Sequence, residues 1–210
     1  MRLRHDAAAE GLIRASALVY DQREAEANRG RWRQLLGGGK SLHLEIGMGR
    51  GRFIIASAVA YPDIAFIGLE LRAEMLMQAL RRLDGAEPDN LRLLWSNADY
   101  LAELFDEREL DRIYLNFPDP WPKSRHAKRR LTAPRYLELY RRLLRPGGEL
   151  SLKTDNRELF EFSLANFRDN GWLQADVDFA LPLAKSGLLS EYEMRYRRRE
   201  QPIFYTLQHI

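Results

Sequence analysis

The chain has no cysteine among its 210 residues. Disulfides, thiolate metal sites and cysteine nucleophiles are therefore excluded, and the composition suits a reducing, cytoplasmic setting. Lysine is scarce, with 5 against 28 arginines. Arginine presents a planar fork that suits phosphates, although a G+C-rich genome produces the same bias. No apolar run reaches the length of a membrane span, so no membrane association is expected. The opening MRLRHDAAAEGLIRASALVY has basic residues but no apolar core followed by a cleavage site, so no signal peptide is expected. Histidine is also rare. His5, His43, His126 and His209 are scattered, no metal site is expected from them, and His43 alternates with strand neighbours as a structural residue would. There is no internal repeat and no low-complexity stretch.

What remains is an ordinary globular composition, 45% hydrophobic and 30% charged, with a net charge of +3. The length suits one main domain with a substantial core. The distribution of charge says more than its sum. Lys123, Arg125, Lys128, Arg129 and Arg130 fall within eight positions that contain no acid, and Arg195, Arg197, Arg198 and Arg199 form a second cluster. Either cluster alone also fits a solvated face. Together they suggest a polyanionic partner.

Residues 1–36 are polar and helix-prone, and the expected organisation is a basic arm carrying Arg2, Arg4 and Arg14, then a helix around 22–36. LLGGGKS closes that helix. From residue 37 to 210 strands and helices alternate. LHLEIG (42–47), DIAFIGLE (63–70), NLRLLW (90–95), LDRIYLNF (110–117) and ELSLKTD (149–155) read as strands, and the alternating QPIFYTLQHI as a last one. RFIIASAVAYP, AEMLMQALRRLD, YLAELF, PRYLELYRRLLRPGG and NRELFEFSLANFRDNGW read as helices, with Thr132 as a candidate N-cap of the fourth. Strand and helix recurring every 20 to 25 residues or so predicts a parallel α/β sheet covered on both faces. Ligands of such sheets bind beyond the carboxyl ends of the strands. The distinctive polar stretches all fall at such ends.

EIGMGRG sets Gly47, Gly49 and Gly51 between the first strand and helix. Glycines there permit a tight turn and close approach of a ligand, or simply a tight turn. Glu45, two residues earlier, disfavours a pyrophosphate and favours a cationic ligand such as an amino-acid moiety. Glu70 ends the next strand, where an acid can accept from both ribose hydroxyls or merely precede a helix. Asn97, Ala98 and Asp99 follow the third strand. Asp99 can accept from an adenine amino group or cap the short helix after it. An adenosine ligand with a positive centre and no phosphate fits this set. S-adenosylmethionine fits, and NAD fits less well.

In NFPDPWPKSRHAKRR, Pro118, Pro120 and Pro122 each fix φ and remove a donor. Such a stiff turn suits holding a planar base at a fixed angle. Asn116 and Asp119 are its polar groups, and Trp121 is expected to pack the turn against the sheet. Guanine N7 carries a lone pair in the neutral base, so alignment with a methyl donor matters more than a general base. A carboxylate at Asp119 can accept from guanine N1–H and the exocyclic amine, a pairing adenine does not offer. The five basic residues then read as phosphate contacts, and His126 as a donor to phosphate or backbone. Thr154 and Asp155 sit at the end of the fifth strand, within reach of base or cofactor, with capping of the next helix by Asp155 or Asn156 as the alternative. Glu193 sits among arginines that it can orient.

LEIGMGRG, YLNFPDPWPKSRHAKRR, LKTDN and LLSEYEMRY together resemble the bacterial tRNA (guanine-N7-)-methyltransferase family over nearly the whole chain. The proline–tryptophan–basic segment is the specific part. The glycine loop alone would not suffice. The resemblance implies a class I, Rossmann-like methyltransferase domain over 37–210, built on a mostly parallel seven-stranded sheet with helices on both faces. It also implies S-adenosylmethionine as donor and the variable-loop guanosine of tRNA as acceptor. It places Glu45, Gly47, Gly49, Glu70, Asn97 and Asp99 at the cofactor, with Gly51, Ala98 and Asn116 beside them. It places Asn116 and Asp119 at the reacting base. Lys123, Arg125, His126, Thr154, Asp155, Ser190, Glu193 and Arg195 fall at substrate positions, and Lys128, Arg129 and Arg130 continue the basic tract. Ser190 stands where threonine is usual, and Glu200-Gln201 where glycine is frequent. Both monomer and homodimer are compatible. The competing readings are a class I methyltransferase acting on a protein or small molecule, and an RNA-binding module without catalysis.

Overall fold

A computed structural model describes residues 7–39, 41–85 and 87–210. In chain order the elements are α1 (Ala7–Arg14), β1 (Val19–Asp21), α2 (Gln22–Ala27), α3 (Trp32–Leu35), β2 (Ser41–Ile46), α4 (Arg52–Ala60), β3 (Ile64–Glu70), α5 (Ala73–Leu83), β4 (Leu91–Trp95), α6 (Leu101–Leu104), β5 (Leu110–Asn116), α7 (Pro134–Leu143), β6 (Leu144–Thr154), α8 (Arg157–Asp169), β7 (Leu173–Asp178), α9 (Glu191–Arg197) and β8 (Phe204–His209). The strands form one sheet in the order β1-β4-β3-β2-β5-β6-β8-β7. Pairs from β1 to β6 are parallel, and β8 lies antiparallel to both β6 and β7.

Strand periodicity divides the core between the two faces. Leu42, Leu44, Ala65, Ile67 and Leu94 join one buried cluster with Trp32, Leu101, Tyr140 and Phe160. Phe66, Leu91 and Leu93 point the other way, into a second cluster with Ile13, Ile54, Leu76 and Ala79. Helices thus cover both faces, as expected. The sheet has the seven strands of the expected arrangement, and the three-residue β1 lengthens it by one beside β4.

The amino-terminal region differs from the sequence expectation. The helix expected around 22–36 is two short ones, α2 and α3, separated by a bend at Gly30, whose φ is +74°. Asp21 closes a capping box on α2, its side chain accepting from the Glu24 amide while the Glu24 carboxylate accepts from the Asp21 amide. Ile13, Leu18, Val19, Ala25, Trp32 and Leu36 are buried. Glu109 ties this region down by accepting from the amides of Gly30 and Trp32 at 3.0 and 3.1 Å. Arg2 and Arg4 lie outside the described residues.

Two further expectations are corrected. Helix α7 stops at Leu143, because the chain from Leu144 onward is already extended and pairs with β5. Its N-cap is Ala133, with Pro134 at the first turn. Thr132 instead turns inward to share a 2.7 Å hydrogen bond with Ser163 of α8. Glu200, where the resemblance led to an expectation of glycine, takes a left-handed φ of +54°. The chain makes that turn with a side chain that disfavours it.

Candidate active site at the carboxyl ends of the strands

Strand order reverses between β2 and β5. β2 leads to β3 on one side, and β5 leads to β6 on the other. A crevice opens above the carboxyl ends at such a point. Glu45 of β2 and Asn116 of β5 meet there, the Asn116 amide donating to Glu45 Oε1 at 2.9 Å. Both residues are buried. Glu45 Oε2 is buried and, among the described residues, makes no hydrogen bond of ordinary geometry, which is costly unless something supplies a donor. Burial, reinforced by the nearby Glu70, pushes the Glu45 carboxyl up to about 8, although the Asn116 bond opposes the shift.

The glycine loop rises beside it. Gly47 and Gly49 have φ of +76° and +57°, and a Cβ on either would point into open space. The amides of Gly47 and Met48 both donate to Leu69 O, at 2.9 and 3.0 Å, folding the loop back over β3. Gly51, also left-handed, is needed for packing, since a Cβ there would lie 2.9 Å from Ala79 on α5. Glu70 is buried at the end of β3. Its Oε2 accepts from Gly49 N at 3.0 Å and its Oε1 from Arg72 N at 2.9 Å. Burial raises its pKa against these bonds. At the end of β4, Asn97 caps a 3-10 turn by accepting from Asp99 N at 3.1 Å. Asp99 is exposed. It does not cap, but accepts from Tyr136 Oη at 2.7 Å and pairs with Arg135 at 3.0 Å. Ala98 is buried between them.

An unpartnered buried carboxylate oxygen, a glycine loop with room above it and a second carboxylate on the next strand can hold an aminoacyl group and a ribose. The residues present fit S-adenosylmethionine. The ammonium would meet Glu45 and the ribose hydroxyls would meet Glu70.

Across the crevice the proline turn leaves β5. Phe117 is left-handed at φ +53°, as is Trp121 at +43°, a conformation side chains resist. Two braces hold it. Phe117 N donates to Lys153 O of β6 at 2.8 Å. Arg130 donates to Pro120 O at 3.0 Å, to Trp121 O at 3.2 Å and to Glu158 of α8 at 3.1 Å. Arg130 is 4% exposed and its guanidinium lies 4.4 Å from the Phe162 ring. The expectation that Arg130 meets phosphate is therefore corrected: this guanidinium is spent inside, holding the turn against α8. Asp119 stands out. It is exposed, and among the described residues no hydrogen bond or ion pair takes up its carboxylate.

Beyond the turn, residues Ser124–Arg129 form a 3-10 helix. Lys123, Arg125, Lys128 and Arg129 are exposed on it and just before it, and His126 is partly buried. Trp121 does not pack on the sheet as expected. Its ring carries the His126 edge at 5.7 Å and the Arg129 guanidinium at 5.0 Å, so it organises the basic tract.

At β6 the expected substrate residues divide. Thr154 is buried and accepts from Asn156 N at 3.1 Å. Asn156, not Asp155, caps α8, accepting from Leu159 N at 2.7 Å. Asp155 is partly exposed and lies beside Tyr196, whose hydroxyl pKa it helps to raise. Ser190 caps α9, accepting from Glu193 N at 3.1 Å. Glu193 is 0% exposed. It pairs with Lys153 at 2.9 Å and with Arg197 at 2.7 Å, and accepts from the Ser186 hydroxyl. Thr154, Ser190 and Glu193 are thus buried and already carry bonds that fix the ends of β6 and α9. Arg195 is exposed.

Lys153 is the important residue that sequence reasoning missed. It lies opposite Asn116 in the β5–β6 register and is buried. Its ammonium donates to Ser186 O at 2.8 Å, Ser186 Oγ at 3.0 Å and Glu193 at 2.9 Å. Burial lowers its pKa, with Glu193 opposing the shift. A lysine inside the apolar strand LSLKTD was the available signal, since a buried charge needs a partner.

This strand order, with its last strand antiparallel, and a site above the β2–β5 switch point define the class I methyltransferase fold. Solved structures agree. The 16S rRNA methyltransferase KamB superposes with a TM-score of 0.66 over 90% of this chain and 93% of its own, at 16% identity. A 16S rRNA (adenine(1408)-N(1))-methyltransferase from Catenulisporales acidiphilia gives 0.61 over 86% and 89%, at 14% identity. A family model described as "Putative methyltransferase" matches residues 39–206. The tRNA (guanine-N(7)-)-methyltransferase of Brevibacillus brevis is 42% identical over 97% of this chain and 96% of its own length. That of Geobacillus kaustophilus is 43% identical over 97% and 94%. The chain belongs to the tRNA (guanine-N(7)-)-methyltransferase family.

Proposed function

We propose that the protein transfers a methyl group from S-adenosylmethionine to N7 of a guanine in tRNA, the variable-loop guanosine being the acceptor. One observation carries the reading. The Asp119 carboxylate is exposed and unpartnered among the described residues, three residues beyond the Asn116–Glu45 pair, on a turn braced from two sides.

When bound, S-adenosylmethionine supplies a methyl group on a positively charged sulfur, open to displacement by the N7 lone pair. Glu45 holds the donor's ammonium and loses its own proton to do so. Glu70 fixes the ribose, and Asn97 and Asp99 line the adenine end, with Asp99 also tied to Tyr136. Asn116, anchored by Glu45, closes the floor between donor and acceptor. Asp119 accepts from N1–H and the exocyclic amine of guanine and so aims N7 at the methyl. The base gains positive charge as N7 is alkylated, and the same carboxylate stabilises it. No residue here has to remove a proton from N7. Lys123, Arg125, Lys128 and Arg129 contact phosphates and set the register of the RNA without reading its sequence. Asp155 and Arg195 border the acceptor side. The methyltransferase domain spans 37–210, and the described amino-terminal residues 7–36 pack onto it through β1 and Trp32.

The test is incubation of unmodified tRNA with labelled donor, nuclease digestion and mass analysis of the fragments. The expected product is one 7-methylguanosine in the variable-loop fragment. Label on another base, or on protein in a mixed lysate, would favour another substrate, and RNA binding without label would favour the non-catalytic reading.

A further inference from the structure

The carboxyl-end rim carries a second feature that charge does not explain. Phe117 stacks on Tyr196 with ring centroids 5.5 Å apart and planes at 17°, and on Tyr192 at 6.1 Å and 23°. Near-parallel rings of this kind leave a flat face for a further ring, unlike the edge-on contacts that fill a core. Tyr192 is 47% exposed.

An exposed tyrosine alone would need no explanation. This one sits on a fixed mount. Phe117 holds a left-handed φ between Asn116 and Asp119 and is anchored through its amide to Lys153 O. The ammonium of the same Lys153 holds Glu193 of α9, next to Tyr192, in a buried pair. Asp155, just past β6, neighbours the Tyr196 hydroxyl and helps to raise its pKa. Both tyrosines and Phe117 are thus fixed from one strand end, β6, which also braces the Asp119 turn. Arg195, exposed and three residues after Tyr192, shares its helix face. An aromatic face with a cation beside it, at the mouth of a site that takes RNA, is how unpaired bases are held.

We propose that the exposed face of Tyr192 stacks an unpaired nucleobase of the RNA substrate. The inference rests on the reading that the substrate is RNA. It adds that affinity at this point comes from ring stacking and not from phosphate charge.

The test uses an unmodified tRNA transcript with three variants, Tyr192→Ala, Tyr192→Phe and Tyr192→Leu. Tyr192→Ala should weaken tRNA binding about tenfold and raise KM for tRNA in step, with kcat little changed. Tyr192→Phe should return affinity to near the parent value. Tyr192→Leu, which keeps bulk without a π face, should not. The slope of log affinity against log salt should be the same in all, because no phosphate contact is lost. Parent-like affinity in Tyr192→Ala, or equal rescue by Phe and Leu, would overturn the proposal. Binding of S-adenosylhomocysteine checks the fold, and if Tyr192→Ala loses it, the Phe–Leu comparison decides. A parent that binds tRNA but transfers no methyl would defeat the proposed function and leave the stacking result readable. A parent that does not bind tRNA would defeat both.

Discussion

The glycine loop and the proline turn leave adjacent parallel strands, β2 and β5, and face each other over one crevice, yet they are built by opposite means. The loop reaches its shape through permissiveness, with glycines at positive φ and, among the described residues, nothing within 4 Å of where a Cβ on Gly47 or Gly49 would lie. The turn is reached through restriction. Three prolines limit it, and Phe117 and Trp121 are held left-handed against their preference by Lys153 and Arg130. The polar groups differ in the same way. Glu45 and Glu70 are buried, and burial raises the pKa of both, whereas Asp119 is exposed. A small cofactor recurs in the same pose and suits a buried, preformed cradle. A macromolecule arrives from solvent and needs a rigid projection.

If the β6 end behind the turn depends on its buried Lys153–Glu193 pair, cutting that pair should cost most. Lys153→Met leaves Glu193 buried opposite only Arg197 and Ser186, and should lower unfolding free energy by about 3 kcal/mol. Adding Glu193→Leu should recover part of the loss. Urea denaturation of both variants measures this, and a Lys153→Met protein as stable as the parent would remove the buried pair from the account.

Next in size is the projection itself. Asp119→Ala should reduce methyl transfer about a hundredfold, or ~2.7 kcal/mol of barrier, while leaving S-adenosylhomocysteine affinity near the parent value. Turnover and equilibrium binding on the same preparation separate the two effects. The comparison between cradle and projection would break if donor affinity fell in step.

The cradle has its own signature in pH. A carboxyl whose pKa rises from the usual 4.5 to about 8 on folding keeps its proton in the folded chain after the unfolded chain has lost it. Stability of the ligand-free protein should therefore fall as pH rises between those two values, and level off above. Glu45→Gln should abolish that part of the slope, read from urea midpoints at several pH values. Binding of the donor near pH 7 should release a proton, detectable as a buffer-dependent heat.

The smallest effect lies at the rim. Replacing Lys128 and Arg129 together by Ala should weaken tRNA binding several-fold and reduce the salt slope by about 2. An unchanged slope would make the tract an ordinary solvated face.

How far the sequence announced these features depends on where their partners lie. β2 to β6 were legible because their residues are buried on both faces and run apolar. β7 was not, since LQADVD is an edge strand with half its side chains in solvent, and β1 is only three residues long. Within the site, residues at strand ends were legible by position alone, as with Glu45, Glu70, Asn116 and Asp119. What position cannot tell is which side chains turn inward. Arg129 and Arg130 are neighbours in one basic run, yet one reaches solvent and the other is buried under the turn. Glu193 reads as a surface acid among arginines until Lys153, 40 residues away, is seen to meet it. Burial of charge is decided by tertiary partners, and a local reading does not contain them.

The central claim is that N7 of a guanine, aimed by Asp119, takes the methyl group. The most direct test is a tRNA transcript made with 7-deazaguanosine, in which N7 is replaced by carbon and the N1 and exocyclic donors are kept. The account predicts binding close to that of the ordinary transcript and no methyl transfer. Methylation of the deaza transcript at the parent rate would contradict it.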